Sequence, residues 1–245
     1  MLDIVKQLKE HLNITDSAFV GLFLYGSQNY GLSNETSDSD YICVVTDFGL
    51  TFNTVHTQHG QITVYSLHYF MNRLLQGDLE CLECLYSDYT EVNSIYQNAF
   101  ARFITDVTAT LNPEGIKMSL NKKLIEHLSF LNMPKTGEDQ NAFYSKKRLY
   151  WAIRVADQLS RITAGESFAE SLKYPADKRD ELVAIKTVEG YLNKTQFTEI
   201  ESKLQNCLIK QETISKAELL FDNSLIFKAE ARLNGLKHMA DTRKS

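Results

Sequence analysis

The sequence predicts an α/β (α+β) fold in which a small mixed β-sheet domain is followed by an all-helical domain. Two observations carry this prediction. The first is a set of short, largely apolar runs that have the length and composition of buried strands. They occupy residues 20–25, 41–45 and 61–66. The second is the helical spacing of apolar residues in nearly every segment after Asn112-Pro113.

The domain boundary is predicted at Asn112-Pro113, because proline suits the first position of a helix. The predicted domains are therefore 1–111 and 112–245. Residues 1–108 contain 4 Lys/Arg and 13 Asp/Glu, whereas the rest of the chain contains 22 and 18. An acidic half beside a mildly basic half suits an enzyme that holds phosphates from both sides, although ordinary Lys-rich helices give the same skew.

The remaining elements follow in order along the chain. A first helix is predicted at residues 2–12, before the first strand. The polar segment 48–60 is interpreted as a loop or hairpin with His56 and His59 at its surface. Further helices are predicted at residues 67–76, 79–86, 94–111, 114–131, 140–164, 176–192, 195–209 and 225–239.

The turn between the first two strands carries the chemistry. Asp38 and Asp40 lie two residues apart where the second strand begins, so both carboxylates are expected on one face. Adjacent carboxylates repel unless a cation lies between them, and Mg²⁺ takes oxygen ligands together with a substrate phosphate. Upstream, Gly26 allows close backbone approach and Ser27 offers polar groups to a phosphate. We predict catalytic metal ligands at Asp38 and Asp40; the alternative is a solvated turn.

The pattern resembles the signature of the DNA polymerase β-type nucleotidyltransferase superfamily, and within it a branch of predicted nucleotidyltransferases from bacteria and their phages. The branch motif is matched at Gly26, Ser27, Tyr30, Gly31, Leu32, Ser37, Asp38, Asp40 and Tyr41. Weaker likeness at residues 65–85, 147–161 and 184–191 extends the resemblance over most of the chain. It implies a nucleotidyltransferase domain, an NTP substrate and Mg²⁺ (or Mn²⁺) as cofactor. It also implies in-line displacement at the α-phosphate, with pyrophosphate leaving.

Two positions depart from the family pattern. A third carboxylate is expected just before residues 62–65, where this chain has Gln61. A neutral amide binds Mg²⁺ less well than a carboxylate and cannot act as a base. Many relatives also carry Arg after the motif serine, where this chain has Gln28. Glu83 and Glu80 are candidate replacements for the missing carboxylate, but the sequence does not place them.

A helical face in the second half is a further candidate for nucleotide binding. Lys147, Trp151 and Arg154 have the spacing of one helix face. Lys147 and Arg154 are predicted phosphate contacts, and Trp151 offers a surface for stacking a base. The alternative is that Trp151 packs in the core while the cations extend outward. Lys186 is a weaker candidate of the same kind.

Composition and hydropathy indicate where in the cell the protein is located. No segment reads as a signal peptide, and no apolar run approaches the ~18 residues of a transmembrane helix. Four cysteines are too few for a secreted disulfide scaffold of this size. We therefore expect a cytoplasmic protein without a membrane partner. Cys81 and Cys84 form a C-x-x-C without a second pair, so packing is favoured over a zinc site.

Three functional hypotheses follow. The first is Mg²⁺-dependent transfer of an NMP from an NTP to an acceptor hydroxyl, with the acceptor left open among an RNA or tRNA end, a protein side chain and a small molecule. The second is a degenerate relative that binds a nucleotide or RNA end without catalysis, a hypothesis that Gln61 supports. The third, antibiotic modification, predicts an acidic acceptor pocket for a polycation.

Overall fold

A five-stranded mixed sheet lies in the first half of the chain and helices follow it. The computed structural model describes residues 2–33, 37, 39–46, 52–57, 60–88, 90–131, 146–187, 194–208 and 223–242. The strands are β1 (Phe19–Tyr25), β2 (Asp40–Val45), β3 (Phe52–Thr57), β4 (Gly60–Ser66) and β5 (Thr90–Val92). The helices are α1 (Leu2–Leu12), α2 (Leu67–Leu75), α3 (Leu79–Cys84), α4 (Gln97–Thr110), α5 (Pro113–Leu131), α6 (Lys146–Thr163), α7 (Phe168–Ser171), α8 (Ala176–Thr187), α9 (Lys194–Asn206) and α10 (Asn223–Thr242). This arrangement confirms the predicted fold class.

The strand order is β3-β4-β2-β1-β5. The pair β2 and β4 is parallel, and the other neighbouring pairs are antiparallel. The strand β2 therefore lies at the centre of the sheet, as its continuous apolar run indicates. Its first residue, Asp40, lies at one end of this central strand.

One face of the sheet packs against α1. Ile4, Val5 and Leu8 share the inward side of this helix and are buried. They meet alternate residues of the sheet, which include Leu22, Cys43, Val45, Ile62 and Val64. The period of two in the strands and the helical period in α1 thus bring their apolar residues together.

The opposite face packs against the helices α2, α3 and α4. Phe23 of β1 is completely buried and stacks on Phe70 of α2, with ring centroids 6.3 Å apart. It also meets Phe100 of α4 at 5.2 Å. The helix α3 packs on β1 beside them. These rings fill the centre of this face, so polar groups are left at the end of the strands.

Two strands of the sheet were not among the three that the sequence predicted. The strand β3 lies in the polar segment 48–60 and forms a hairpin with β4. Of the two interpretations of this segment, a loop or a hairpin, the hairpin is therefore the one that holds. The strand β5 has only three residues, too few to show a strand period. The predicted helical residues 140–145, 188–192 and 209 lie outside the described part of the chain.

The described chain forms two compact units. The first contains residues 1–29, 36–112 and 219–245, and the second contains residues 30–35 and 113–218. In the first unit α10 packs on α2 and α4, and its Glu230 pairs with His68 at 2.8 Å. The last helix thus belongs to the same compact unit as the sheet. The predicted domain boundary between residues 111 and 112 stays a prediction. No helix in the described ranges is long and apolar enough to cross a bilayer.

Gly235 lies on the exposed side of α10, where the structure leaves room for a side chain. A Cβ at this position would have nothing within 4 Å. Gly235→Ala is expected to raise the free energy of unfolding by roughly 0.5–1 kcal/mol, because alanine loses less backbone entropy in a helix. Urea denaturation measures this change.

At Gly21 a Cβ would lie 2.9 Å from the Phe23 ring, so Gly21→Ala should lower the free energy of unfolding instead.

Candidate active site

The predicted motif lies where β1 ends and β2 begins. Tyr25, the last residue of β1, is the register partner of Asp40, so the two side chains share one face of the sheet. Gly26 follows with a φ of 77°, a conformation that favours glycine. A Cβ on Gly26 would lie 3.6 Å from Asp40 Oδ2. The backbone of the turn therefore runs beside this carboxylate.

A hydrogen bond closes the turn between the two strands. Gln28 Nε2 donates to Ser39 Oγ at 2.6 Å. Ser39 is the residue between the two predicted metal ligands, so Gln28 ties the start of the turn to its end. Gln28, which stands where the family pattern has arginine, thus has a structural role that the sequence did not reveal. Asp38 itself lies outside the described residues, and Ser27 is half-buried in the turn.

The pKa of Tyr25 depends on the charges around the site. Burial raises the pKa of Tyr25 far above its ordinary value, and the negative charges of Glu80 and Asp40 raise it further. A hydrogen bond with Thr63 of β4 acts in the opposite direction. Tyr25 is therefore protonated at neutral pH, and two carboxylates from different elements act on it.

Glu80 and Glu83 are the two candidate replacements for the missing carboxylate. The charge of Glu80 raises the pKa of Tyr25, which lies on this face of the sheet. Glu80 lies in the first turn of α3 and is half-buried. Glu83, three residues later, is buried at 3% exposure and raises the pKa of its neighbour Cys84, after the larger effect of burial. The signal that singles out Glu80 is the packing of α3 on β1, which no local pattern encodes.

Gln61 lies beside Asp40. The parallel register pairs Tyr41 with Ile62, so the preceding residues, Asp40 and Gln61, are neighbours at the ends of β2 and β4. On the other side, Gln61 is the register partner of His56 in β3, and both side chains are exposed. His56 thus belongs to a strand pair at the end of this face.

The oxygen donors that the register places side by side at this face are the carboxylate of Asp40 and the amide of Gln61. Hard oxygen ligands of this kind suit Mg²⁺. Within the described ranges no group of three or more His, Cys, Asp or Glu is arranged to hold a metal. A substrate phosphate would therefore have to complete the coordination.

The predicted helical contacts belong to the second unit. Trp151 of α6 is 37% exposed, so the alternative in which it packs in the core does not hold. Its ring meets His127 of α5, with centroids 5.8 Å apart. The Arg154 guanidinium lies 4.3 Å from the ring centroid of the buried Tyr30. The side chains of Lys147 and Lys186 lie outside the described residues.

His127 is neutral at physiological pH. Burial, and after it the nearby charges of Lys123 and Arg154, together lower its pKa to about 4. Sequence reasoning missed this histidine, which becomes notable only through its contact with Trp151. The pair forms an uncharged aromatic surface with cations beside it.

This histidine predicts a pH dependence of stability. Its ordinary pKa is 6.5 and its folded pKa is about 4, so below pH 6.5 the unfolded state takes up a proton that the folded state does not. Stability is lost as the pH falls through this window. In His127→Phe, the loss between about pH 7 and pH 5 should be smaller by about 1 kcal/mol, a value reduced for solvent screening. Urea denaturation at both pH values measures it, and an unchanged loss would contradict the assignment.

The two cysteines of the C-x-x-C are buried in α3. Burial raises the pKa of Cys81 and of Cys84 well above the ordinary value for a thiol. Both therefore remain protonated at neutral pH, as expected for packing in an apolar environment.

Comparisons with known proteins add a distant likeness to a solved structure. No family model matches the chain, and no curated protein matches it. Among solved structures the chain is similar to a nucleotidyltransferase-like protein from Exiguobacterium sibiricum 255-15, at 10% identity and a TM-score of 0.33. The match covers 96% of this chain and 73% of that one. A likeness of this size carries no argument about function, which has to rest on the residues themselves.

Proposed function

We propose that the protein is a Mg²⁺-dependent nucleotidyltransferase that moves an NMP from an NTP to an acceptor hydroxyl. The single observation that carries the proposal is the position of Asp40. Its carboxylate lies beside the backbone of Gly26, in the turn that the motif predicts to hold phosphates. A carboxylate next to a phosphate-binding backbone turn is unfavourable unless a cation joins the two.

The roles of the residues follow from this arrangement. Asp38 and Asp40 would hold the metal, which neutralises the charge of the triphosphate. Gly26 and Ser27 would lie against the phosphates. Lys147 and Arg154 stay predicted phosphate contacts from the sequence.

The reaction is a displacement at the α-phosphorus. The acceptor oxygen forms a bond to phosphorus, the bond from phosphorus to the bridging oxygen of pyrophosphate breaks, and pyrophosphate leaves. The proton of the acceptor hydroxyl passes to a base. Gln61 cannot accept this proton, so we assign it to a carboxylate, and Glu80 is the described candidate besides the metal ligand Asp40.

A second candidate function is nucleotide binding without transfer. The observation that favours it is the neutral Gln61 in the position beside Asp40, where the superfamily pattern predicts a carboxylate. Binding of the triphosphate would need only the turn and the metal held by Asp38 and Asp40, whereas activation of the acceptor is the step that a missing carboxylate would weaken.

Labelling separates the two functions. The purified protein is incubated with each α-³²P-labelled NTP, Mg²⁺ or Mn²⁺, and total cellular RNA and protein, with an Asp38→Ala/Asp40→Ala variant as the inactive control. Label transferred by the wild type alone supports the transferase and identifies the base and the class of acceptor. Metal-dependent NTP binding by calorimetry without label transfer would overturn it in favour of the binding module.

A further inference from the structure

We propose that the exposed aromatic surface formed by Trp151 and His127 binds single-stranded nucleic acid by base stacking. The surface, called here the α5–α6 stacking surface, consists of Lys123 and His127 on α5 and Trp151 and Arg154 on α6. All four residues lie in the second compact unit. The binding does not depend on the proposed transfer. Only the role of the bound strand as acceptor rests on that function.

The geometry of the surface brings a stacking platform and cations together. Helices α5 and α6 pack along each other, and His127 meets Trp151 across them at a centroid distance of 5.8 Å. Lys123 precedes His127 by one helical turn and Arg154 follows Trp151 by nearly one turn. Both cations are close enough to His127 to affect its proton equilibrium. Both therefore lie within electrostatic reach of the ring pair.

Trp151 is exposed at the surface of α6. Its side chain is 37% exposed, whereas the other large aromatic residue of this helix, Tyr150, is only 2% exposed. The indole is tilted by 39° against the neutral imidazole of His127, so the two rings form one aromatic surface with part of the indole open to solvent. Such a face suits a nucleobase, and stacking on an aromatic side chain contributes about 1–3 kcal/mol per base.

The position of Arg154 is fixed before any ligand arrives. Its guanidinium lies over the ring of the buried Tyr30 at 4.3 Å. Tyr174 donates a hydrogen bond to the backbone carbonyl of Arg154 at 3.3 Å, which holds the main chain of α6 at this residue. A cation held in this way loses little conformational entropy when it contacts a phosphate. This is the arrangement expected of a phosphate contact next to a stacked base.

The charge of α5 and α6 favours a single-stranded nucleic acid over a single nucleotide as the ligand. The chain as a whole has a net charge of −5. By contrast, α5 and α6 together contain eight Lys/Arg against three Asp/Glu. Two of these cations are held in ion pairs, Lys117 with Glu114 and Arg161 with Asp157 and Glu166. The excess that remains along the two helices matches a chain of phosphates better than one triphosphate, and an exposed aromatic among cations is typical of surfaces that bind single strands.

The single tryptophan of the chain allows a direct test. Because Trp151 is the only source of tryptophan fluorescence, its quenching reports contact at this residue. We expect saturable quenching when a dodecamer of oligouridylate or oligodeoxythymidylate is added at low salt. By anisotropy of a labelled dodecamer, Trp151→Ala should weaken binding roughly 5- to 150-fold, the equivalent of one stacked base. Trp151→Phe, which keeps a stacking ring, should bind within about threefold of the wild type.

Two further variants give the matched controls. Phe227→Ala removes an aromatic side chain that is 60% exposed in the first unit, and it should leave binding unchanged. Lys123→Gln should reduce the salt dependence of log K by about 0.7, the value for one phosphate contact of a single strand. Asp40→Asn should retain dodecamer binding, so that loss of transfer and loss of this binding remain separate results.

Three results would overturn the proposal. One is the absence of quenching, or binding by Trp151→Ala equal to that of the wild type. Another is quenching by ATP at the concentrations that suffice for the dodecamer, which would favour the mononucleotide site that the sequence alone predicts at Trp151 and Arg154 over a strand-binding surface. The third is equal binding of a duplex of the same length, which would show attraction to phosphates without base stacking.

Discussion

Asp40→Asn is expected to lower the rate of NMP transfer at least about 100-fold while the fold is preserved. Asparagine has nearly the same shape as aspartate but lacks the charge, and a metal-binding carboxylate contributes several kcal/mol to stabilising the charge of the transition state. Asp40 lies at the end of β2 with its carboxylate beside Gly26, and it shares its face with Tyr25. The measurement is the initial rate of label transfer from the preferred NTP, with circular dichroism to verify folding.

The matched control for this variant is Asp3→Asn. Asp3 is an exposed carboxylate on α1, the helix that packs on the opposite face of the sheet. It should leave transfer within about twofold of the wild type, since it lies far from the proposed phosphates and surface charges are screened by salt. Transfer by folded Asp40→Asn at the wild-type rate would remove Asp40 from the catalytic machinery.

Gly60→Ala is expected to lower both stability and transfer. A Cβ at Gly60 would lie 2.0 Å from the carbonyl oxygen of Ser39, so the backbone between the two predicted metal ligands would have to move. The φ of 129° at this residue adds strain for any side chain. Together these effects should cost roughly 3 kcal/mol or more of unfolding free energy. Transfer, measured where the variant is still folded, should fall at least about 10-fold, because displacements of this size at an active site are costly.

Gly165→Ala separates the clash from the backbone strain. Gly165 also has a positive φ, 103°, but a Cβ there would meet nothing within 4 Å. It should lose about 1–2 kcal/mol of stability from the backbone alone and keep its transfer rate. If both variants lost the same stability and kept full activity, the close approach of Gly60 to Ser39 would have no role in the site.

The elements with strong periodicity could be predicted from the sequence. The helix α1 matches its predicted range, β1 and β2 match theirs within one residue, and Pro113 begins α5 as expected. Each of these segments has an apolar pattern that its own residues encode. The three-residue strand β5 has no such pattern, and it forms because Gly21 and its neighbours in β1 offer a partner.

The contacts that complete the candidate site could not be predicted in this way. Gln28 and Ser39 are eleven residues apart, and Gly60 approaches Ser39 from a different strand. The charge of Glu80 acts on Tyr25 because α3 packs on β1. These are consequences of tertiary packing, and the sequence offered Glu80 and Glu83 as equal alternatives. The pair of His127 and Trp151 likewise depends on how α5 and α6 pack.

The most direct test of the central claim is a crystal structure of the protein with Mn²⁺ and a non-hydrolysable NTP analogue, collected at a wavelength that gives anomalous scattering from manganese. We expect an anomalous peak in contact with the carboxylate of Asp40, at about 2.1 Å, and phosphates lying against Gly26 and Ser27. A nucleotide bound elsewhere, or manganese that does not contact Asp40, would contradict the assignment of this turn as a nucleotidyl-transfer site.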